Sequence, residues 1–457
     1  MAPDGGLGAG GTGTVPGLTA ASLYPAGQHP NIEHYWPWTG MVQDCGIRIE
    51  SRADLVRVFN VAVRMRLSDL IMQTGMPIFA SWHGDMVAIT KPLKRATVEQ
   101  VMVWITGVDS IVARLQQLRD HDQAFNIPDL VAKDRWGEPL KRRFRLNLTP
   151  EYFDGGKGFE AVMRYIDPVP PTVAQSGLEP EVLAEATPGA GLVVFLGETG
   201  SGKTHTLASI IRYVMEGWTQ IRGNLLTYEF PIEFIFKEVE SPVCTISQVE
   251  IGTDLPDFGY GVRNGLRRKP GGVMIGEMRD TETISAGVEA SNLGIPVWAT
   301  AHANKVSVGL NRLIKKFPSD RQAQAYFDLL ANTHMLVSQR LVDRADGSGK
   351  ICLREWQVLT DDVRKSLEEV GPERHVRRLQ EIIDAEGNLH GRSMRETVHR
   401  HLRAGAITLE TARSVLLTYG YRTISLDGAE DWSVARAGEG ALGIDGPAAV
   451  PAQVTRG

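Results

Sequence analysis

Residues 192–204 read LVVFLGETGSGKT, five large apolar residues that run without interruption into the spacing G-x-x-x-x-G-K-T. An unbroken apolar run of this length suits a strand buried on both faces of a parallel sheet, because a strand with one wet face would alternate. A loop must follow it. Gly197, Gly200 and Gly202 have no Cβ to block successive backbone N–H groups from converging on phosphate oxygens. Lys203 then offers a mobile point charge for the outer phosphates, and the Thr204 hydroxyl can ligate Mg²⁺ at the start of the next helix. A chance Gly-rich turn would not be expected to hold all eight positions in register between a strand and a helix, so residues Gly197, Glu198, Thr199, Gly200, Ser201, Gly202, Lys203 and Thr204 are the candidate nucleotide cradle.

What surrounds this stretch is globular. A chain of 457 residues has room for two or three domains, and 42% apolar with 23% charged residues excludes both general disorder and a membrane protein. The net charge is −5 with no long Lys/Arg block, which argues against a protein whose main work is gripping nucleic acid while leaving a local basic face open. No apolar run is long enough to span a bilayer, and the N-terminus lacks a charged segment followed by an apolar one, so a cytoplasmic location is expected. Cys45, Cys244 and Cys352 stand apart, without metal-site spacing, and read as buried thiols.

Along the chain, residues 1–30 are Gly-, Ala- and Pro-rich and predict a flexible leader. Order is expected from residue 31, where His34, Tyr35, Trp36 and Trp38 supply large rings. Ser51 is a candidate N-cap for a helix on which Leu55, Val58, Phe59, Ala62 and Met65 recur at helical spacing. A small α+β unit follows, with strands over 69–72, 77–82 and 86–90, a turn at His83-Gly84-Asp85, helices over 97–107 and 111–119, and a strand over 142–148. Five prolines between 167 and 190 predict a linker, at 171–190, between a first domain (31–170) and a second (191–360). In the second, strands (192–196, 224–229, 272–276, 296–301) alternate with helices (203–216, 257–268, 281–293). That pattern means a mostly parallel sheet covered on both faces, with nucleotide at the carboxyl ends of its strands. Two more helices, then strands over 335–342 and 351–359, lead to a helical region (361–427) and a disordered tail (428–457).

Phosphate binding alone does no chemistry; hydrolysis also needs an acid near the metal and another to polarise water. The apolar strand in GGVMIGEMRD (271–280) delivers Glu277 at its carboxyl end as a Walker B acid, while Asp280 suits an N-cap for the helix after it. In LLTYEFPIEFIF (225–236) a strand ends at Glu229, and Pro231 breaks the chain so that Glu233 stands on a loop where it can orient water. PVWATAHAN (296–304) brings His302 and Asn304 to the same sheet edge.

In this order and spacing, GETGSGKT, YEFPIEF, VMIGEMRD and WATAHAN resemble the Walker A, acidic "Asp box", Walker B and "His box" of the secretion ATPase superfamily, which includes pilus retraction motors and type IV secretion ATPases. The resemblance runs from about residue 54 to 421. SDLIMQTGMPIFASWHGD resembles the PAS-like N-terminal domain of the pilus motors, and RRFRLN their Arg-rich strand. It implies a RecA-like P-loop core behind a PAS-like α+β domain, ATP and Mg²⁺ as cofactors, Glu233 as the catalytic glutamate, Glu277 as the Walker B acid, and His302 as the link between nucleotide state and domain position. Arg143, Arg145 and Arg164 match family arginines that reach toward the phosphates; each also suits a solvated basic strand face. Phe230 stands where pilus motors carry Asp, and the AIRNLIRE-type motif of the retraction motors does not follow Gln339-Arg340-Leu341, which counts against pilus retraction. Instead NGLRRKPGGVMIGEMRDTETISA and ICLREWQVLTDDVR are similar to the DotB-type ATPases of Dot/Icm (type IVB) secretion and their conjugative-plasmid relatives. Arg263, Arg267 and Arg268 suit either a neighbouring subunit's nucleotide or the open surface.

The implied protein is a homo-hexameric ring, peripheral to the inner membrane, whose hydrolysis drives a secretion complex exporting protein or a protein–DNA substrate, without sequence-specific nucleic-acid binding of its own. The alternatives are a pilus retraction or assembly motor, a RecA-like DNA motor, and a nucleotide-gated scaffold that does not hydrolyse.

Overall fold

The computed structural model describes residues 48–433 except 66, 68, 83–84, 118–119, 134–136, 167, 422 and 427–428. The expected leader (1–30), the rings at 34–38, Cys45, the turn residues His83 and Gly84 and the chain after 433 lie outside the described residues.

Ser51 caps α1 (Arg52–Arg64) as its side chain accepts from the Asp54 N–H, while the Asp54 carboxylate accepts from the Ser51 N–H at 3.0 Å. This reciprocal pair satisfies backbone donors that a helix start otherwise leaves open. The strands β1 (Asp69–Gln73), β2 (Ile78–Trp82) and β3 (Asp85–Ala88), the helices α2 (Arg95–Thr106) and α3 (Ile111–Gln116), and the strands β4 (His121–Lys133), β5 (Pro139–Phe153) and β6 (Gly156–Ile166) complete the N-terminal unit. Its sheet runs β3-β2-β1-β6-β5-β4, antiparallel throughout. Phe59 of α1 packs edge-on to Phe144 of β5, with ring centroids 4.7 Å apart, at the centre of a separate apolar core. β4 and β6 were not foreseen, and the strand expected over 142–148 is twice that long.

The Pro-rich stretch after β6 folds into two short helices, α4 (Val173–Ser176) and α5 (Pro180–Glu185), with Pro180 in the first turn, where a missing N–H costs nothing. Leu178, Val182 and Ala186 pack into the next core. That core surrounds an eight-stranded sheet built from β7 (Gly191–Leu196), β8 (Gly223–Glu229), β9 (Cys244–Glu250), β10 (Pro270–Ile275), β11 (Pro296–Ala301), β12 (Thr333–Asp343), β13 (Lys350–Val358) and β14 (Gly391–Arg392). The order is β14-β13-β12-β7-β11-β10-β8-β9; β9 to β12 through β7 run parallel, and β13 and β14 antiparallel. Helices α6 (Lys203–Met215), α7 (Phe258–Leu266), α8 (Thr281–Asn292), α9 (Val306–Ile314) and α10 (Gln322–Asn332) cover it. The mixed α/β fold has the mostly parallel sheet that the alternation predicted and the RecA-like core that the resemblance implied. Alternate residues of β7 divide between the two faces. Leu192, Val194 and Leu196 meet the side with α8 to α10, and Val193 and Phe195 meet α6. Each such fully buried side chain contributes about 2 kcal/mol. The parallel edge strand β9 was missed.

The C-terminal region holds α11 (Asp361–Ile383), α12 (Met394–Arg403) and α13 (Leu409–Thr418). Leu367, Leu379 and Ile383 of α11 join the same core as β7. Residues 429–433, placed by composition in a structureless tail, instead form β16 (Ala429–Ser433), antiparallel to β15 (Thr423–Leu426). The sequence carried that signal, since Asp427-Gly428 between alternating residues is hairpin chemistry.

Candidate active site

The carboxyl ends of β7, β8, β10 and β11 share one edge of the sheet, and a cleft of about 600 Å³ opens there. It is lined by Lys203 and Thr204, by Glu229 and Glu233, by Glu277, Arg279 and His302, and from the N-terminal unit by Arg145 and Arg164.

The loop after β7 is shaped as its glycines require. Gly197 has a φ of +152°, and a Cβ there would collide with Ser201 Oγ and stand 2.7 Å from the Gln339 carbonyl oxygen. Gly202, with a left-handed φ of 87°, caps α6 without lending a side chain, so the first N–H groups of the helix have no side-chain cap. Such an end attracts anions. Ser201 Oγ is buried with no hydrogen-bond partner among the described residues. Lys203 is buried and its Nζ donates to the Gly197 and Glu198 carbonyls, both at 2.8 Å. Burial pulls its pKa down against the opposing fields of Glu277, Glu198 and Glu233.

Glu233 is held differently, on a loop with no regular structure from 230 to 235. Ile232 N–H donates to Glu250 Oε2 at 3.1 Å, Gln248 Nε2 donates to the Phe234 carbonyl at 2.7 Å, and Ile235 N–H donates to the Pro168 carbonyl at 2.7 Å. The Glu233 N–H donates to the Glu229 carboxyl, which is wholly buried and pushed up to about 7 by that burial. Burial also raises the Glu233 pKa, while Arg145, a hydrogen bond from the Thr204 hydroxyl, Arg164 and Lys203 oppose the rise. Glu277 follows β10 by two residues, and its Oε1 lies 3.3 Å from His302 Nε2. Asp280 caps α8, accepting from the Thr283 N–H at 2.8 Å.

Arg145 and Arg164 are direct partners in the β5–β6 register, so two cations stand side by side on one face. Like charges in that position repel. Asp122 (3.2 Å) and Asp69 (2.7 Å) pair with them from the flanks, yet both arginines remain well exposed on the cleft. Arg143, expected beside them, is not among the cleft's lining residues. It is two residues from Arg145 on the same strand face but turns to the Ile232 carbonyl (2.7 Å) and Glu250 (3.0 Å), which take its Nε and Nη2. Arg263, Arg267 and Arg268 end α7 at the amino edge of β10, the end of the sheet opposite the cleft.

Sequence reasoning passed over two charged members of the cleft, Glu229 and Arg279. Glu229 looked like a strand's last residue, though a carboxyl closing an apolar strand was itself a signal. Arg279 is sandwiched by rings, its Cζ 5.3 Å from the Phe258 centroid and 6.0 Å from that of Phe230, the residue that departs from the pilus-motor pattern. Tyr165, Ile166, His205, Leu207 and Phe234 supply apolar and aromatic surface to the cleft's lining, with the His205 and Phe234 rings 6.0 Å apart.

Behind the cradle, Asn304 Nδ2 donates to Glu198 Oε1 at 3.3 Å, Ser338 Oγ donates to the Asn304 carbonyl at 3.1 Å, and Tyr419 Oη lies 3.1 Å from Ser338 Oγ. Among the described residues no group of three or more His, Cys, Asp or Glu side chains could hold a metal alone, and no helix is long and apolar enough to cross a membrane. The hydroxyl of Thr204 and the carboxylate of Glu277 fit an ion that takes its other ligands from phosphate and water, as Mg²⁺ does.

Residues 141–415 match the family described as "Type II/IV secretion system protein". The type IV pilus ATPase PilU of Pseudomonas aeruginosa is 33% identical over 285 residues, 62% of this chain and 69% of that one. The structure of the ATPase DotB of Legionella pneumophila superposes with a TM-score of 0.69 at 31% identity, covering 82% of this chain and 98% of that one. That of the pilus retraction motor PilT with bound ADP does so with a TM-score of 0.64 at 25% identity, covering 79% and 96%.

Proposed function

Since the chain belongs to the type II/IV secretion system protein family, we propose that it is a Mg²⁺-dependent ATP hydrolase acting as a hexameric motor of a type IVB or conjugative secretion system. ATP hydrolysis is the activity of its relatives, among them PilU and DotB. The observation that carries the reading is the single cleft that gathers Lys203, Thr204, Glu233 and Glu277 from the core and Arg145 and Arg164 from the N-terminal unit.

In this reading the phosphates rest on the N–H groups of 200–204, and the base takes the apolar surface by Tyr165 and Phe234. Lys203 leaves the Gly197 and Glu198 carbonyls for the outer phosphates. Arg145 and Arg164 exchange mutual repulsion for attraction to the same anion, so their placement favours the charge that develops during transfer. Glu233 orients the attacking water and accepts its proton; burial, by raising its pKa, makes it a better acceptor than an exposed carboxylate. Thr204 and Glu277 hold Mg²⁺, which supplies charge neutralisation on the phosphates when bound. His302, beside Glu277, senses which state that acid is in. Loss of the terminal phosphate removes the shared anion, and the N-terminal unit shifts against the core. Six copies in a ring, peripheral to the inner membrane, deliver that shift to a membrane complex that exports protein or a protein–DNA substrate.

Light scattering with and without ATP and Mg²⁺, read beside phosphate release, tests this. A six-subunit mass with turnover that vanishes in Glu233→Gln is expected; a monomer that releases no phosphate overturns it. The similarity to PilU and PilT favours a second reading, a pilus motor, against which stands Phe230. Restoration of twitching in a host lacking its retraction ATPase would decide for the second.

A further inference from the structure

Arg143 does not reach the cleft, and what it grips instead lies one residue from Glu233. Its Nε donates to the Ile232 carbonyl at 2.7 Å and its Nη2 to Glu250 Oε2 at 3.0 Å; the same Glu250 oxygen accepts the Ile232 N–H at 3.1 Å. The backbone of Ile232 is thus held at both its N–H and its carbonyl by an ion pair whose cation belongs to the N-terminal sheet and whose anion belongs to β9. Two residues past Glu233, Ile235 N–H donates to the carbonyl of Pro168, which leaves the same N-terminal unit. The chain around Glu233 is therefore tied to the N-terminal unit on both sides, while Glu229 and Gln248 tie it to the core. The ion pair is largely buried, and burial lowers the Arg143 pKa while Glu250 and Glu229 raise it, so its charge is balanced where it stands.

We propose that Arg143 is a positioning residue through which the orientation of the N-terminal unit sets where Glu233 stands. This rests on the reading of Glu233 as the residue that orients water. Rotation of the N-terminal sheet pulls on the Ile232 carbonyl and the Ile235 N–H together, and Glu233 between them moves with it. Hydrolysis competence then follows domain position through the backbone, separately from the arginines that face the phosphates.

The test uses the full chain with Arg143→Ala and Arg143→Lys, read by phosphate release against ATP concentration and by amide hydrogen exchange. An alanine removes both grips, and a lysine ammonium satisfies the charge of Glu250 without the two-pronged geometry. The expected result is a kcat lowered about tenfold to a hundredfold in Arg143→Ala with KM within about twofold, and an intermediate kcat in Arg143→Lys. Amides of 232–235 should exchange about tenfold faster in Arg143→Ala while those of β7 and β10 do not. A raised KM at unchanged kcat would make Arg143 a nucleotide ligand, and unchanged kinetics with unchanged exchange would leave the grip without consequence; either overturns the proposal. If Arg143→Ala fails to fold, the Arg143→Lys kinetics decide alone. Glu233→Gln assayed in parallel separates the two ideas: wild-type turnover there refutes the role of Glu233, while faster exchange in Arg143→Ala still registers the grip.

Discussion

The N-terminal unit lines the nucleotide cleft and the C-terminal region stands behind its cradle, and the two are attached in opposite ways. The C-terminal region shares its apolar core with the sheet, through α11, and α12 closes over β13, where Thr397 Oγ1 donates to the buried Arg354 carbonyl at 2.6 Å. Arg354 on β13 is wholly buried and donates to the Gly177 carbonyl and to Glu179, both at 2.8 Å. Glu355 beside it accepts from the Val306 N–H at 2.9 Å and the Met394 N–H at 3.3 Å. The N-terminal unit keeps a core of its own and meets the core sheet's side through a few directional contacts such as those of Arg143 and Pro168, while Arg145 and Arg164 pair with half-buried aspartates of the unit itself. Shared apolar burial fixes two bodies in every direction, whereas a handful of hydrogen bonds fixes them only while each bond is made. The comparison teaches that one neighbour of the cleft is built as part of the frame and the other as a part that can turn.

That contrast can be broken. Lys203→Ala should bring phosphate release to background while leaving the urea midpoint near wild type, because the cleft then loses its mobile cation and the frame loses little. Arg354→Ala should do the reverse kind of damage, lowering stability in urea by about 3–5 kcal/mol through the uncompensated Glu179 and the orphaned carbonyls. Should it leave stability unchanged, the buried junction of β13 with the segment between α4 and α5 is no part of the frame.

The pH dependence sharpens the same point. Burial raises the Glu355 pKa from 4.5 to about 7. A carboxyl raised in the fold is bound at full strength when protonated, below the unfolded value, and its contribution is lost as pH climbs through 7. Wild-type stability should therefore fall between pH 5 and pH 8 by up to about 3 kcal/mol more than that of Glu355→Gln, measured by urea unfolding at each pH. Equal slopes would remove Glu355 from the account. Smallest in stability is Arg164→Ala, expected within about 0.5 kcal/mol of wild type because its pair with Asp69 is exposed, yet slower in turnover by about tenfold. A destabilised variant with normal turnover would make that arginine structural.

Features fixed within a few residues were legible in the sequence. The cradle follows from its own glycines, Asp280 caps as a side chain three residues from its donor, and β7 announces itself by an apolar run that no one-sided strand would carry. What was hidden depended on placement across the chain. Arg143 and Arg145 share a strand face, so the pattern left both with the same alternatives, the phosphates or a solvated face; only the packing of the N-terminal sheet decided that one meets Ile232 and the other the cleft. β9 has a mixed, half-exposed pattern, because an edge strand is open on one side, and its polar residues matter for the loop they hold rather than for their periodicity. Nothing local in the sequence around Arg354 and Glu355 says that α5, α9 and α12 cover them.

The two rings that flank Arg279 bear on how the cleft treats an incoming anion. A carboxylate in the place of Phe230 would steady the guanidinium by cancelling it, leaving a neutral pair facing the ligand. Aromatic faces steady it by shape and quadrupole alone. The cation is kept in place with its charge met only by a long, exposed contact to Asp280 Oδ2 at 3.8 Å, so most of the attraction it exerts is left for whatever negative group enters.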